Sequence, residues 1–253
     1  MRHVLVTGAA GGIGLAAAQA FHALGDTVTG VDARADVLAE AMAPLGGRGH
    51  VADLAAPDCA EVVDRVVART GPVDVLVNAA GIYPATALAD MTAQAWDQVQ
   101  HVNVRAPMLL TRALAAAGRP AVVVNISSSA ATRARPGAAH YCTSKAAVEM
   151  LTKACAVELA ELGIRVNAVA PGFVEVASPV NPVTPEYAKA VSANPAGRAG
   201  RPEEIAAAVV WVAGEQAAFV TGSVLRVDGG ATAGSTALPP HFPTTTALQE
   251  GSP

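Results

Sequence analysis

Charge is scarce in this 253-residue sequence, and aromatics scarcer: 15% of its residues are Asp, Glu, Lys or Arg, and only 4% are aromatic. With a formal net charge of −4, no lysine or arginine run and no basic patch interleaved with aromatics, it lacks the surface needed to follow a phosphate backbone. Nucleic acid is therefore excluded as a partner. Cys59, Cys142 and Cys155 are isolated and odd in number, without the spacing of a metal or redox pair. They read as small interior or helix residues in a reducing compartment, and imply a cytoplasmic protein. The six histidines are scattered and suggest no metal site. No apolar run reaches the roughly 18 residues that cross a bilayer. The start, MRHVLVTGAAGG, has the basic residue and apolar run of a signal peptide, but the glycines after Thr7 argue against one.

What is abundant is alanine, together with short valine-rich runs; 52% of the chain is hydrophobic. Runs at 3–7, 27–32, 49–53, 73–78, 121–126, 164–169 and 223–228 predict strands. Between them, patterns at 13–25, 35–43, 57–70, 92–117, 139–162 and 202–213 predict helices. Continuous rather than alternating Val and Ile indicate strands buried on both faces, and the β-α alternation implies a parallel sheet with right-handed crossovers. The expected fold is α/β, one doubly wound domain over residues 1–230. A proline-rich stretch after Pro171 is too long for an ordinary connection and predicts a substrate lid at about 174–200. Residues 231–253 form a polar, aperiodic tail, expected to be flexible or packed on a neighbouring subunit.

The first strand runs into TGAAGGIG, placing Gly8, Gly12 and Gly14 around Ile13 at the start of the first helix. Such a turn brings backbone close to a pyrophosphate, and the helix start supplies free N–H groups and partial positive charge. Asp32 ends the second strand about twenty residues on, where a carboxylate accepts from both adenosine ribose hydroxyls and repels a 2′-phosphate. NAD is thus favoured over NADP, with nearby Arg34 keeping an NADP reading open. Asp53 and Leu54 after the third strand, and Asn78, Ala79 and Gly81 after the fourth, stand where strand ends line a cofactor crevice.

In HYCTSK, Tyr141 and Lys145 are four apart, one helical turn, so both project from one face. Ser128, in SSS at the end of the fifth strand, precedes Tyr141 by thirteen residues. A free tyrosine is ionised well under about 1% of the time near neutrality. An ammonium one turn away, with the positive charge of an oxidised nicotinamide, favours the phenolate; a shift of about 3 units corresponds to roughly 4 kcal/mol.

TGxxxGxG, NAAG, a serine thirteen before YxxxK, and a later PG occur in that order over roughly residues 1–230, and the chain resembles the short-chain dehydrogenase/reductase family. The resemblance implies a Rossmann-type sheet of about seven strands and hydride transfer between a nicotinamide and a secondary alcohol or ketone. It makes Tyr141 the acid/base, Lys145 its electrostatic partner and ribose contact, Ser128 the carbonyl-orienting hydroxyl, and Asn103 a holder of relay water. Ser127 and Ser129 are the weaker serine candidates. Pro171, Gly172 and the backbone of Val174 would lie against the nicotinamide, and Val176 stands where the family often has threonine. Pocket walls are expected from Ser129, Ala130, Tyr83, Pro84, Phe173 and Val176, implying a neutral, moderately hydrophobic substrate; Arg133, Arg135 and His140 could accept an anionic substrate, but are expected to face solvent. The family's assembly implies a homotetramer. Alternatives from other classes are a same-fold epimerase or dehydratase and a non-catalytic nucleotide sensor.

Overall fold

The structure is a computed structural model that describes residues 1–176, 184, 186, 188, 190, 192 and 194–234. Seven parallel strands form one sheet: β1 (His3–Thr7), β2 (Thr27–Asp32), β3 (Gly49–Val51), β4 (Val75–Asn78), β5 (Val122–Ile126), β6 (Arg165–Pro171) and β7 (Val224–Val227), in the order β3-β2-β1-β4-β5-β6-β7. Order reverses between β1 and β4, which opens a crevice at their carboxyl ends. β1 is buried along its whole length, as are the last four residues of β5, which is why these strands read as unbroken apolar runs.

On one face lie α1 (Gly12–Ala23), α2 (Ala35–Met42) and α7 (Pro202–Ala213); on the other lie α3 (Glu61–Thr70), α5 (Ala106–Ala115) and α6 (Ala139–Glu158). Ala16, Ala17, Ala18 and Phe21 of α1 pack in one layer with Ile205, Ala206 and Val209 of α7. Val62, Val66, Leu110 and Leu114 fill the other. Burying each of the larger side chains contributes roughly 1.5–3 kcal/mol, so each layer is anchored by a few such residues and the alanines set how closely the helices approach.

One departure from the expected pattern bears on function. The single helix expected at 92–117 is α4 (Ala93–Gln100) and α5 joined by a π-helical turn, His101–Arg105. Pro107 carries no N–H for the Asn103 carbonyl four residues back, so the regular ladder is interrupted there. The ends of the expected lid lie side by side: Gly200 N–H donates to Phe173 O (2.9 Å) and Glu175 N–H to Gly200 O (3.0 Å). Residues 177–183, 185, 187, 189, 191 and 193 of that lid lie outside the described residues, as do 235–253 of the tail. Among the described residues no helix is long and apolar enough to cross a membrane.

Candidate active site

The crevice is braced by a residue that sequence reasoning passed over. Thr7 Oγ1 accepts from the N–H groups of Ala79 and Ala80, both at 3.1 Å, and donates to Val77 O at 3.4 Å, tying β1 to the segment after β4. A side chain on Gly8 would place its Cβ 2.9 Å from the Ala80 backbone, and one on Gly14 would place it 2.2 Å from Gly8 O. Gly8 and Gly12 have φ of +69° and +52°. The first strand and helix thus meet without intervening side chains, leaving the start of α1 open to a diphosphate. Val176 overhangs this turn, its Cγ1 3.4 Å from where a Gly12 Cβ would lie.

Asp32 binds more protein than its sequence position suggests. Oδ2 accepts from Ala10 N–H (3.2 Å) and an Arg34 guanidinium nitrogen (3.3 Å), while Oδ1 accepts from Arg34 N–H (3.1 Å) and Nε (3.0 Å). Burial alone would raise its pKa, but the hydrogen bonds and charge of Arg34, with the Ala10 N–H, hold it below the ordinary value. Asp53 is exposed, its Oδ1 accepting from Ala55 N–H at 2.8 Å, and Leu54 is buried. Asn78 donates through Nδ2 to Asn125 Oδ1 (2.8 Å), and Asn125 donates to Thr152 Oγ1 (2.9 Å). Asn78 Oδ1 is buried without a partner. An orphaned acceptor at the end of β4, beside a cradle that any Cβ would fill, fits the bound nucleotide implied by the glycine turn.

At the other end of the crevice, helix α6 presents Tyr141 and Lys145 to the same cavity, with Lys145 Nζ 5.8 Å from the Tyr141 ring centroid. Nζ donates to Ile126 O at 2.8 Å. The three serines separate cleanly. Ser127 also lines the cavity, but its Oγ donates to Lys145 O (3.3 Å) and Glu149 Oε1 (3.1 Å). Ser128 Oγ accepts from Ala130 N–H (3.1 Å), and its hydroxyl favours the Tyr141 phenolate. Ser129 lines the cavity wall. Asn103 is clamped on the π-helical turn: Nδ2 donates to Ile82 O (2.9 Å) and Ser144 Oγ (3.0 Å), and Oδ1 accepts from Ile82 N–H (2.9 Å). A Cβ on Gly81 would lie 3.4 Å from Asn103 Oδ1 and 3.5 Å from Lys145 Nζ, so these three positions adjoin. Ser144, which donates to Tyr141 O at 2.7 Å, was legible only as the residue before Lys145 and three after Tyr141.

Burial pushes the Tyr141 phenol up, opposed by the Ser128 hydrogen bond and the Arg135 charge. The expectation that Lys145 lowers this phenol is therefore not met in the chain alone: the ammonium is aimed at a carbonyl, and burial wins. Lys145, 5% exposed, is itself lowered to about 8 by burial. Because its folded pKa is depressed, the unfolded chain holds the extra proton between about 8 and 10.5, and stability rises with pH across that window. The stability of the native protein minus that of Lys145→Met should increase by up to ~3 kcal/mol over it. Denaturant titrations of both proteins at several pH values measure this difference; a flat difference would refute the buried-ammonium assignment.

The cavity has a volume of about 1330 Å³. Ile13, Ala79, Gly81, Ser128, Tyr141, Lys145, Pro171, Gly172 and Val174 line it, as do all six expected pocket residues, Tyr83, Pro84, Ser129, Ala130, Phe173 and Val176. Asp32 ends β2 and Asp53 and Leu54 follow β3 on the same sheet edge; these three, with Gly8, Gly12, Gly14, Asn78 and Asn103, do not line it. Arg133 is exposed, as expected, but the expectation that Arg135 and His140 face solvent needs correcting. Arg133 and Arg135 line the cavity. His140 is fully buried, its Nδ1 accepting from Tyr141 N–H at 3.0 Å and its Nε2 without a partner; burial lowers its pKa.

A parallel sheet in this order, a glycine turn at its reversal and a Ser-Tyr-Lys-lined cavity beside it define an oxidoreductase, and the chain belongs to the short-chain dehydrogenase/reductase family. Residues 8–232 match the family model described as enoyl-(acyl carrier protein) reductase. The chain is 39% identical to a 3-oxoacyl-[acyl-carrier-protein] reductase of Thermotoga maritima, covering 89% of this chain and 96% of that protein. It is 38% identical to a cyclopentanol dehydrogenase of Comamonas sp., covering 91% and 96%. A solved structure of a metagenomic blue fluorescent protein in complex with NADPH superposes with a TM-score of 0.84 at 32% identity, covering 91% of this chain and 97% of that one.

Proposed function

We propose that this protein interconverts a secondary alcohol and a ketone, using NAD(H), with Tyr141 as acid/base. The observation that carries this reading is the convergence of Ser128, Tyr141 and Lys145 on one cavity beside the glycine turn. The relatives' names, a ketoacyl reductase and an alcohol dehydrogenase, support the reaction class.

Gly8, Gly12, Ile13 and Gly14 would hold the diphosphate, Asp32 the adenosine ribose, Asp53 and Leu54 the adenine side, and Asn78, Ala79 and Gly81 the crevice floor. Pro171, Gly172 and Val174 would flank the nicotinamide, with Lys145 on its ribose. The nucleotide, when bound, supplies a site that gives or takes a hydride at the substrate's carbinol carbon. For a ketone, Ser128 Oγ donates to the carbonyl oxygen and Tyr141 Oη gives it a proton as the carbon receives the hydride; for an alcohol, the same proton returns to Tyr141. Lys145, together with the positive charge of an oxidised nicotinamide, would stabilise the phenolate left behind. Asn103, clamped to Ile82 and Ser144, holds the π-helical turn beside Lys145, a suitable place for water that reprotonates the pair.

The choice of NAD rests on Asp32. Asp32→Asn keeps one acceptor oxygen, for the N–H of either Ala10 or Arg34, while it removes the charge and releases the Arg34 guanidinium. It should shift the NAD/NADP ratio of kcat/KM toward NADP by ~10-fold or more. An unchanged ratio assigns the choice to another residue. We further propose that the protein is cytoplasmic and a homotetramer, the assembly supported by Met150 and Val157 exposed on α6, Trp211 exposed on α7 and Phe219 exposed beyond it. Reduced-nicotinamide absorbance, followed with a panel of secondary alcohols and ketones and with both nucleotides, tests the reaction itself. Turnover of at least one neutral or charged carbonyl pair is expected, and none across the panel contradicts the reading.

A further inference from the structure

We propose that Asp228 is a positioning residue that shapes the substrate side of the cavity; this rests on the alcohol/ketone reading above. Asp228 directly follows β7 and is buried. Its carboxylate serves the backbone just beyond it: Oδ1 accepts from Gly230 N–H (2.9 Å), and Oδ2 accepts from Thr232 N–H (2.9 Å) and Thr232 Oγ1 (2.5 Å). Ala231 N–H donates to Asp228 O at 3.1 Å, and Gly229 and Gly230 supply the φ of +61° and +83° that so tight a turn requires. Burial would raise the Asp228 pKa, but the bonds from Thr232 and Gly230, with the Arg226 charge, hold it below the ordinary value, so the group is an ionised acceptor.

Two walls of the cavity rest on this turn. Gly229 O accepts from Ala196 N–H at 3.0 Å. A Cβ on Gly229 would lie 2.9 Å from Asn194 Oδ1, and one on Gly230 2.8 Å from Pro195 Cγ, so the arm returning from the expected lid is seated directly on the two glycines. That arm is folded on itself by Gly197 N–H to Asn194 O (2.8 Å) and by Asn194 Nδ2 to Arg198 O (2.8 Å), and its Ser192 and Ala199 line the cavity. On the other side the Arg133 guanidinium donates to Ala231 O, which ties in the loop before α6; Arg133 and Ala231 line the cavity as well. Gly172, which would flank the nicotinamide, is held by backbone instead, its N–H donating to Val227 O at 3.1 Å and its Cα side packed on the Asp228 Cα. The Asp228 carboxylate therefore acts, through Gly230 and Thr232, on the walls that would meet substrate, while the backbone that would meet the nucleotide is fixed without it.

Asp228→Asn keeps one acceptor oxygen, for either Gly230 or Thr232, and turns an NH2 group toward the other. Thr232→Val removes only the hydroxyl, and Thr232→Ser keeps it. Each variant is assayed with cyclohexanone, acetophenone and methyl acetoacetate at saturating reduced nucleotide, with kcat and KM resolved and with nucleotide affinity and Tm measured alongside. For at least one ketone that the native protein reduces, Asp228→Asn should raise KM by ~10-fold or more, as for loss of charge-assisted hydrogen bonds. Its kcat and nucleotide affinity should change by less than about threefold. Thr232→Val should raise KM by ~3-fold, and Thr232→Ser should keep the native KM. Combining Asp228→Asn with Arg133→Met should raise KM by less than the product of the two single effects, because both act through one short segment. An unchanged KM in Asp228→Asn, nucleotide affinity that falls in step with KM, or single effects that multiply would each overturn the proposal while leaving the ketoreductase reading intact. Should Asp228→Asn not fold, equal KM values for Thr232→Val and Thr232→Ser would overturn it. No reduction of any of these ketones would overturn both.

Discussion

Tyr141→Phe should lower kcat by about a thousandfold, within the range contributed by a positioned general acid/base, while changing nucleotide affinity by less than about threefold. The substitution removes one oxygen and leaves the ring that packs 5.9 Å from Tyr83 and beneath Arg135. The cavity wall and the crevice are preserved, so a structural role would show in binding and a chemical role in turnover alone. Steady-state kinetics together with nucleotide titration by fluorescence separate the two. Turnover within about tenfold of the native value would mean that another group handles the proton.

The second large effect is expected at Gly14. An alanine there puts a methyl carbon 2.2 Å from Gly8 O, 2.7 Å from Gly8 C and 3.1 Å from Thr7 O. All three are backbone atoms, so relief requires moving α1 away from β1. We expect a loss of about 2–3 kcal/mol, the cost of overpacking a tight site, and hence a Tm lower by roughly 5–10 °C for a chain of this size. Nucleotide affinity should fall with it by ~10-fold or more, because the same movement displaces the N–H groups at the helix start. Gly234→Ala, with nothing within 4 Å of the added carbon, is the control and should change neither. Thermal melts and nucleotide titrations of both variants check this, and a Gly14→Ala protein equal to the native one would remove the turn from the account.

The fold was readable because strands buried on both faces leave unbroken valine runs, and a parallel sheet leaves helices between them; β1, β2 and α7 fall on their expected spans. The Tyr141–Lys145 pair was readable because helical spacing is local. Side-chain choices settled by distant parts of the chain were not. Nothing near Asp32 in sequence says that Ala10 N–H uses its carboxylate, because that bond spans the crossover between β1 and β2. The placement of Arg135 depends on Gly137 meeting Thr86, about fifty residues away. The direction of the Tyr141 shift depends on burial, which the i,i+4 pattern does not encode. The π-helical turn was hidden for the opposite reason: Pro107 announced it locally, but a continuous helical pattern over 92–117 masked the break.

The central claim is direct transfer from carbon to nucleotide, with the oxygen's proton leaving through Tyr141. It is tested most directly by oxidising a secondary alcohol deuterated at its carbinol carbon, in ordinary water, and determining the mass of the reduced nucleotide. The account predicts that the deuterium is found on the nicotinamide ring; deuterium released to solvent, or an unlabelled reduced nucleotide, would contradict it.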